Sequence, residues 1–221
     1  MMLDGGMLFR DRVDAGARLA RRLEGYRGTN ALVLGIPRGG VVVAAELARQ
    51  LGAELDVIVA RKLGSPISPE LAIGAVTANG GRFLNTDIIA QLDVSDAYLD
   101  AVTKEEQAEA RRRETLFRGS RTAPDLSGRT VILVDDGLAT GATMRAAARS
   151  LRQRRVGRLV AAVPVGSPQA CAALRGEVDE VVCLYAPEEF GAVGAFYDDF
   201  RQTEDDDVRR LLRDSTAAAP A

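Results

Sequence analysis

Short, continuous apolar runs alternate with helical patterns along the chain from residue 31 onward. The runs are rich in Val and Leu and do not alternate between apolar and polar residues, which is typical of strands buried on both faces of a parallel sheet. Strands that alternate with helices indicate an α/β fold. The sequence therefore predicts a mainly parallel twisted sheet flanked by helices, with its strands in the runs 31–37, 55–64, 130–137, 158–166 and 180–187.

Helical periodicity separates these runs and predicts helices over 9–24, 39–52, 141–155 and 167–176. The segment 64–120 is less regular. Its Asn79-Gly80-Gly81 turn predicts a small hairpin, and residues 87–118 predict a helix. Because ligands of parallel α/β proteins bind beyond the carboxyl ends of the strands, the loops that follow the strands are the candidate site.

The chain contains no histidine and only two cysteines, Cys171 and Cys183. This composition excludes Ser-His-Asp and Cys-His nucleophile systems, His-ligated metal sites and a disulfide scaffold. The net charge of −2 gives no general attraction to nucleic acid or membrane. No apolar run approaches the roughly 18 residues of a membrane span, and the N-terminus lacks the apolar region of a signal peptide. We expect a cytoplasmic protein that binds small molecules, with no nucleic acid and no membrane partner.

The segment 131–143, VILVDDGLATGAT, carries the clearest chemistry in the sequence. Four apolar residues lead into Asp135 and Asp136, and a Gly/Thr loop then leads into a helix. Free N–H groups and the helix dipole at such a helix start bind phosphate, while paired carboxylates accept hydrogen bonds from a diol or hold Mg²⁺. The alternative is a generic strand–loop–helix turn with Asp as the helix cap. The apolar residues before the acids and TGAT after them favour a site for a ribose 5-phosphate.

Residues 131–143 resemble the phosphoribosyl-pyrophosphate (PRPP) binding motif of type I phosphoribosyltransferases, and a weaker resemblance extends over about 30–200. It implies the fold of that family, with Asp135 and Asp136 on the ribose hydroxyls. The 5-phosphate would then lie on Ala139, Thr140, Gly141, Ala142 and Thr143. Gly137 lies in the same PRPP-binding motif and departs from the family, which usually has a bulkier residue there.

The resemblance also assigns pyrophosphate to the loop after the first core strand, which holds Arg38, Gly39 and Gly40. Two glycines admit an anion to the backbone, and an Arg binds phosphate oxygens, although a plain turn is the alternative. The family often has a basic residue at the end of the second core strand, where Arg61 and Lys62 occur; a solvated strand end is the alternative there. The candidate catalytic residues are Asp135, Asp136, Arg38 and Lys62.

The reaction implied by the resemblance displaces pyrophosphate from C1 of the ribose by a nitrogen nucleophile, with Mg²⁺ as the cofactor. Such catalysis consists of positioning and charge neutralisation, so it requires no histidine. Asp135 and Asp136 are the expected metal-site residues, and Asp198 is an indirect candidate. The acceptor is expected to be a nucleobase or a related heterocycle.

Two segments outside the motif are candidates for contact with the acceptor. Val165 belongs to the segment 163–168, where a core strand ends. The segment 186–200 resembles the purine-binding end of hypoxanthine-type members of the family, and this resemblance implies that Phe190 stacks on the base. The alternative for the second segment is a small satellite core beneath the C-terminal helix, formed by Phe190, Phe196, Tyr197 and Phe200.

One domain is expected over 1–203, with a core of about 30–187 and a variable hood built from 1–29 and 188–203. A C-terminal helix is predicted over 204–214 and a disordered tail over 215–221. A homodimer is an expected assembly, because dimers are common in the resembled family. The competing function is a PRPP- or nucleotide-binding regulator that has lost catalysis, although the sequence shows no helix-turn-helix addition that would bind DNA.

Overall fold

A computed structural model describes residues 8–217. Its larger sheet has five strands, all parallel, in the order β2-β1-β6-β7-β8. These strands are β1 (Ala31–Gly35), β2 (Glu54–Val57), β6 (Thr130–Val134), β7 (Arg158–Val165) and β8 (Glu180–Tyr185). A smaller antiparallel sheet holds β3 (Ala60–Gly64), β4 (Ala72–Thr77) and β5 (Arg82–Leu84). The predicted parallel α/β architecture is confirmed.

The helices of the described chain cover both faces of the parallel sheet, except for α3, which packs on the smaller sheet. They are α1 (Arg12–Arg22), α2 (Gly39–Leu51), α3 (Thr86–Gln91), α4 (Asp96–Arg118), α5 (Ala142–Arg152), α6 (Pro168–Leu174) and α7 (Asp205–Ala217). Alternate residues of each strand serve opposite faces: Val33 packs with α1, α2 and α7, whereas Leu34 packs with α5 and α6. Burial on both faces explains why the strand sequences are continuously apolar.

The direction of strand succession reverses between β1 and β6, which are neighbours in the sheet. The chain passes from β1 through α2 to β2 on one side, and from β6 through α5 to β7 on the other. The two strands end at the same level, because Gly35 pairs with Val134. The loops after β1 and β6 therefore border one crevice, where ligands of open parallel sheets bind.

The apolar run 55–64 is not one core strand, as predicted, but two strands in different sheets. The backbone leaves the parallel sheet after Ile58, whose N–H still bonds the Gly35 carbonyl. The N–H of Val59 then bonds the buried carboxylate of Glu114 on α4, with 3.1 Å between N and Oε1. Arg61 and Lys62 consequently lie on β3 in the smaller sheet and not at the end of a core strand.

The hairpin predicted around Asn79-Gly80-Gly81 is confirmed as β4 and β5. The helix predicted over 87–118 is divided into α3 and α4, because Asp93 adopts a left-handed conformation (φ 48°). Ser95 then caps α4 by accepting a hydrogen bond from the N–H of Tyr98.

The two ends of the described chain also differ from the predicted boundaries. Helix α7 continues to Ala217, so 215–217 are helical and not part of a tail; residues 218–221 and 1–7 lie outside the described part. Helix α1 begins at Arg12, because the Asp11 side chain caps it. Phe9, predicted inside that helix, instead pairs with Tyr197 in an isolated parallel bridge.

This pairing joins the N-terminal segment to the segment before α7. The N–H of Phe9 bonds the Phe196 carbonyl at 2.9 Å, and the N–H of Asp198 bonds the Phe9 carbonyl at 2.8 Å. These segments are part of the hood that the sequence predicts from 1–29 and 188–203. From here on, the hood means residues 8–11 together with 190–201.

Over residues 8–217, none of the helices is long and apolar enough to cross a membrane.

Candidate active site

The loop between β6 and α5 presents the predicted acids and phosphate-binding residues at the crevice. Asp135 and Asp136 directly follow Val134, the last residue of the strand. Ala139 and Thr140 are exposed, and Gly141 takes the left-handed conformation (φ 76°) at the start of α5, which favours glycine. No side chain caps α5, so the N–H groups of its first turn, at Ala142 and Thr143, are oriented to receive an anion.

The loop between β1 and α2 lies against the two acids, and the Pro37–Arg38 peptide bond in it is cis. A Cβ on Gly39 would lie 1.9 Å from Oδ2 of Asp136, and a Cβ on Gly40 would lie 2.8 Å from Cα of Asp135. Any larger residue would collide with the acid loop at both positions. Glycine at both positions therefore allows the loop after β1 to approach the loop after β6 closely. The sequence assigns these two loops to the same ligand.

The two acids have different surroundings. Burial, together with the charge of Asp136, raises the pKa of Asp135 well above its ordinary value, although the N–H of Asp136 bonds Oδ1 of Asp135 at 2.9 Å. Asp136 forms an ion pair with Arg12, with 2.7 Å between Nε and Oδ2. Its backbone carbonyl accepts a 2.6 Å hydrogen bond from the Tyr197 hydroxyl. The hood and the adjoining helix α1 thus hold Asp136 by both its main chain and its side chain.

The basic residues expected near pyrophosphate are placed differently from one another. Arg38 stands beside Gly39 in the crevice, where its Nη1 lies 3.4 Å from Oε2 of Glu204. Arg61 is bonded to Glu106 of α4 at 2.7 Å, and Lys62 is exposed on β3. The loop that contains Arg38 contacts the acids through Gly39 and Gly40, whereas Arg61 and Lys62 belong to the neighbouring sheet.

The acceptor candidates fall within or beside one apolar cluster. Val165 is fully buried in it, so its side chain offers no exposed surface in this structure, and its contact with an acceptor stays a prediction. Phe190 is half-buried and stacks on Phe196 with 5.5 Å between ring centroids. The satellite core of aromatic rings is therefore present, but it packs against Phe9 and β7 and not beneath α7. Asp198, the indirect metal candidate, is exposed.

Arg12 and Tyr197 are site residues that sequence reasoning missed. Arg12 is one of several arginines on α1, and nothing in its spacing distinguishes it from Arg18 or Arg21. Tyr197 was assigned only to the apolar cluster. Its hydroxyl donates a hydrogen bond to the backbone carbonyl of Asp136, and the sequence does not indicate that a tyrosine at this position makes such a bond.

A groove of about 940 Å³ lies beside the loop between β6 and α5. Ala139 and Thr140 form one wall, and β5 with the start of α3 forms the opposite wall. Arg145 lies over the Phe83 ring in this groove, with 4.0 Å from the guanidinium carbon to the centroid, and bonds Glu177 at 3.0 Å. The contact between Arg145 and Phe83 packs the β4–β5 hairpin against α5, next to the loop between β6 and α5.

Comparison with known proteins agrees with this geometry. The family model of the phosphoribosyl transferase domain matches residues 9–201. The chain belongs to the phosphoribosyl transferase family. Family membership accounts for the adjacent loops after β1 and β6.

A Mycobacterium tuberculosis (strain CDC 1551 / Oshkosh) protein, provisionally named a phosphoribosyl transferase, is 48% identical over 205 residues. The match covers 93% of this chain and 46% of that protein, so the chain spans about half the length of this relative. TT1426 from Thermus thermophilus has a similar structure, with 44% identity, a TM-score of 0.80 and coverage of 94% and 99% of the two chains. A hypoxanthine phosphoribosyltransferase of Staphylococcus aureus shares the fold at 15% identity and a TM-score of 0.50, over 84% and 79% of the chains.

Proposed function

We propose that this chain binds PRPP with Mg²⁺ and transfers the 5-phosphoribosyl group to a nitrogen nucleophile, with release of pyrophosphate. A nucleobase or a related nitrogen heterocycle is the acceptor class. The observation that carries the proposal is the contact of the Gly39-Gly40 loop with Asp135 and Asp136 at the reversal point of the sheet. One short crevice thereby offers groups for two phosphates and a diol.

Each part of PRPP corresponds to one element of the crevice. The uncapped start of α5, with the hydroxyls of Thr140 and Thr143, would receive the 5-phosphate. The carboxylates of Asp135 and Asp136 would accept hydrogen bonds from the ribose hydroxyls. Backbone groups of the Gly39-Gly40 loop and the Arg38 side chain would receive pyrophosphate.

Mg²⁺ fits this set of donors. Mg²⁺ sites in proteins commonly use one or two carboxylates together with phosphate oxygens and water. The described residues hold no cluster of three or more His, Cys, Asp or Glu that would bind a metal without such help. Asp135 and Asp136 would therefore hold the ion with oxygens of PRPP, and the ion would neutralise charge on the leaving pyrophosphate. An indirect contact of Asp198 with the metal stays a prediction.

The proposed reaction forms a bond from the acceptor nitrogen to C1 and breaks the bond from C1 to the pyrophosphate oxygen. The acceptor N–H proton is released. The chain itself contributes positioning: the acids orient the ribose, and the cations and N–H groups fix both phosphates. Arg61 and Lys62 lie on β3, so their side chains would contact pyrophosphate only by extending from the smaller sheet towards the crevice.

We place the reaction in the cytoplasm, where the free thiols of Cys171 and Cys183 stay reduced.

Titration calorimetry with PRPP, with and without Mg²⁺, tests the proposal. The wild type is expected to bind PRPP in a Mg²⁺-dependent manner, and the double variant Asp135→Asn/Asp136→Asn is expected to lose binding while remaining folded. A matched control, Asp96→Asn/Asp100→Asn, makes the same charge change at two exposed positions of α4 and should bind normally. Absence of wild-type binding at millimolar PRPP would reject the proposal.

Pyrophosphate release distinguishes an active transferase from a protein that only binds PRPP. A panel of nucleobases and related heterocycles is incubated with PRPP, Mg²⁺ and the wild type, and pyrophosphate is measured. Release that depends on both a panel member and Asp135 supports the proposed reaction. Tight PRPP binding without release for any panel member would favour a regulatory function.

A further inference from the structure

Arg12 lies at the junction of three segments of the candidate site. From the first turn of α1, its Nε donates to Oδ2 of Asp136 at 2.7 Å. The same Nε would lie 2.6 Å from a Cβ placed on Gly39. Arg12 therefore touches the acid loop where that loop meets the proposed pyrophosphate loop. Its side chain is only 11% exposed, so the ion pair is largely shielded from water.

The hood fixes the guanidinium of Arg12 in this position. The guanidinium carbon lies 3.9 Å from the centroid of the Phe200 ring, and Nη1 donates to the Arg201 carbonyl at 2.9 Å. One planar group is thus stacked on a ring while it donates to two acceptors in different directions. Lysine has a single ammonium group and cannot reproduce these contacts together.

We propose that Arg12 is a positioning residue of the PRPP site, which holds the Asp136 carboxylate in place before the ligand arrives. This inference rests on the proposed function. Fixing a ligand-binding group in advance lowers the ordering cost of binding, so loss of Arg12 should weaken PRPP binding without removing any group that contacts PRPP. The contacts made by Arg12 with Asp136 and the hood support this function.

The test measures PRPP affinity, in the presence of Mg²⁺, for Arg12→Met, Arg12→Lys and a matched control. Removal of groups that orient a metal ligand typically lowers affinity about 10–100-fold, and we expect a loss in this range for Arg12→Met. Arg12→Lys should fall between Arg12→Met and the wild type. The control is Arg21→Met, which removes an exposed cation from the last turn of the same helix; its affinity should be unchanged.

Chemical rescue separates positioning from a structural effect. Arg12→Ala leaves room beside Phe200, so added guanidinium ion, well below denaturing concentrations, should restore part of the PRPP affinity. Sodium chloride at the same ionic strength should not. Rescue would identify the planar cation as the missing group, because a general weakening of the hood would not respond to it.

Several results would overturn the inference while leaving the proposed function intact. Folded Arg12→Met that binds PRPP like the wild type would do so, as would equal losses in Arg12→Met and Arg21→Met. If Arg12→Met fails to fold, wild-type affinity in Arg12→Lys, or no effect of guanidinium on Arg12→Ala, would count against it. Absence of PRPP binding by the wild type would instead reject the proposed function together with this inference.

Discussion

Gly137 packs directly against Val193 of the hood. A Cβ atom at Gly137 would lie 2.3 Å from Cγ1 and 3.0 Å from Cβ of Val193. Val193 is a stiff, β-branched residue in a short 3-10 helix, so it has little freedom to move away. Val193 therefore fills the space that a larger side chain at position 137 would need.

We expect Gly137→Ala to destabilise the protein by about 1–3 kcal/mol, because overpacking of a fixed contact has costs of this size. Val193→Ala in the same chain should remove most of that cost. A double-mutant cycle measured by urea denaturation tests the coupling. Additive effects of the two substitutions would contradict a direct contact.

Asp135→Asn should abolish PRPP binding but leave the free energy of unfolding at pH 7 equal to or above that of the wild type. Burial and the neighbouring Asp136 raise the pKa of Asp135, so its charged form is unfavourable in the folded protein. Asn removes this charge and keeps an oxygen for the N–H of Asp136. Urea denaturation and calorimetry measure the two effects, and clear destabilisation would contradict this account.

Arg118→Met should destabilise the protein by about 3–5 kcal/mol, because it leaves two buried carboxylates without their cation. Arg118 bonds Asp56 at 2.9 Å and Glu114 at 2.8 Å, and the Asp56 side chain is 2% exposed. Burial raises the pKa of Asp56, and Arg118 opposes that effect. Arg112→Met, which breaks an exposed pair on the same helix, is the control in urea denaturation and should cost at most about 1 kcal/mol. Equal costs for the two variants would be inconsistent with a buried network.

Glu177→Gln should produce a pH-dependent loss of stability. Hydrogen bonds from Arg149 and Arg145 hold the pKa of Glu177 below its ordinary value of 4.5, against partial burial, which raises it. The ionised form therefore stabilises the folded state above pH 4.5, and this contribution is lost as the pH falls through the lowered pKa. The wild type should exceed the variant by about 1 kcal/mol at pH 7 and match it in acid, as measured by chemical denaturation. A difference independent of pH would refute the assignment.

The parallel sheet and the position of the loop between β6 and α5 could be predicted because their determinants are local. Continuous apolar runs report burial on both faces, and the segment 131–143 holds its acids, its glycine and its helix start in thirteen consecutive positions. The division of 55–64 depends on Glu114, which is distant in sequence, so the run alone could not reveal it. The position of the Arg12 guanidinium depends on its contacts with Phe200 and Arg201, and the periodicity of α1 does not indicate these distant residues.

The hydrogen bond from Arg12 to the Arg201 carbonyl joins residues 189 positions apart. During synthesis on the ribosome, α1 and the acid loop emerge long before Phe200, so Arg12 has no ring to stack on while most of the chain is made. A nascent chain that already contains every strand of the parallel sheet still lacks the segment that fixes Asp136. The contacts that fix Arg12 beside Asp136 are therefore completed only after translation has passed residue 201.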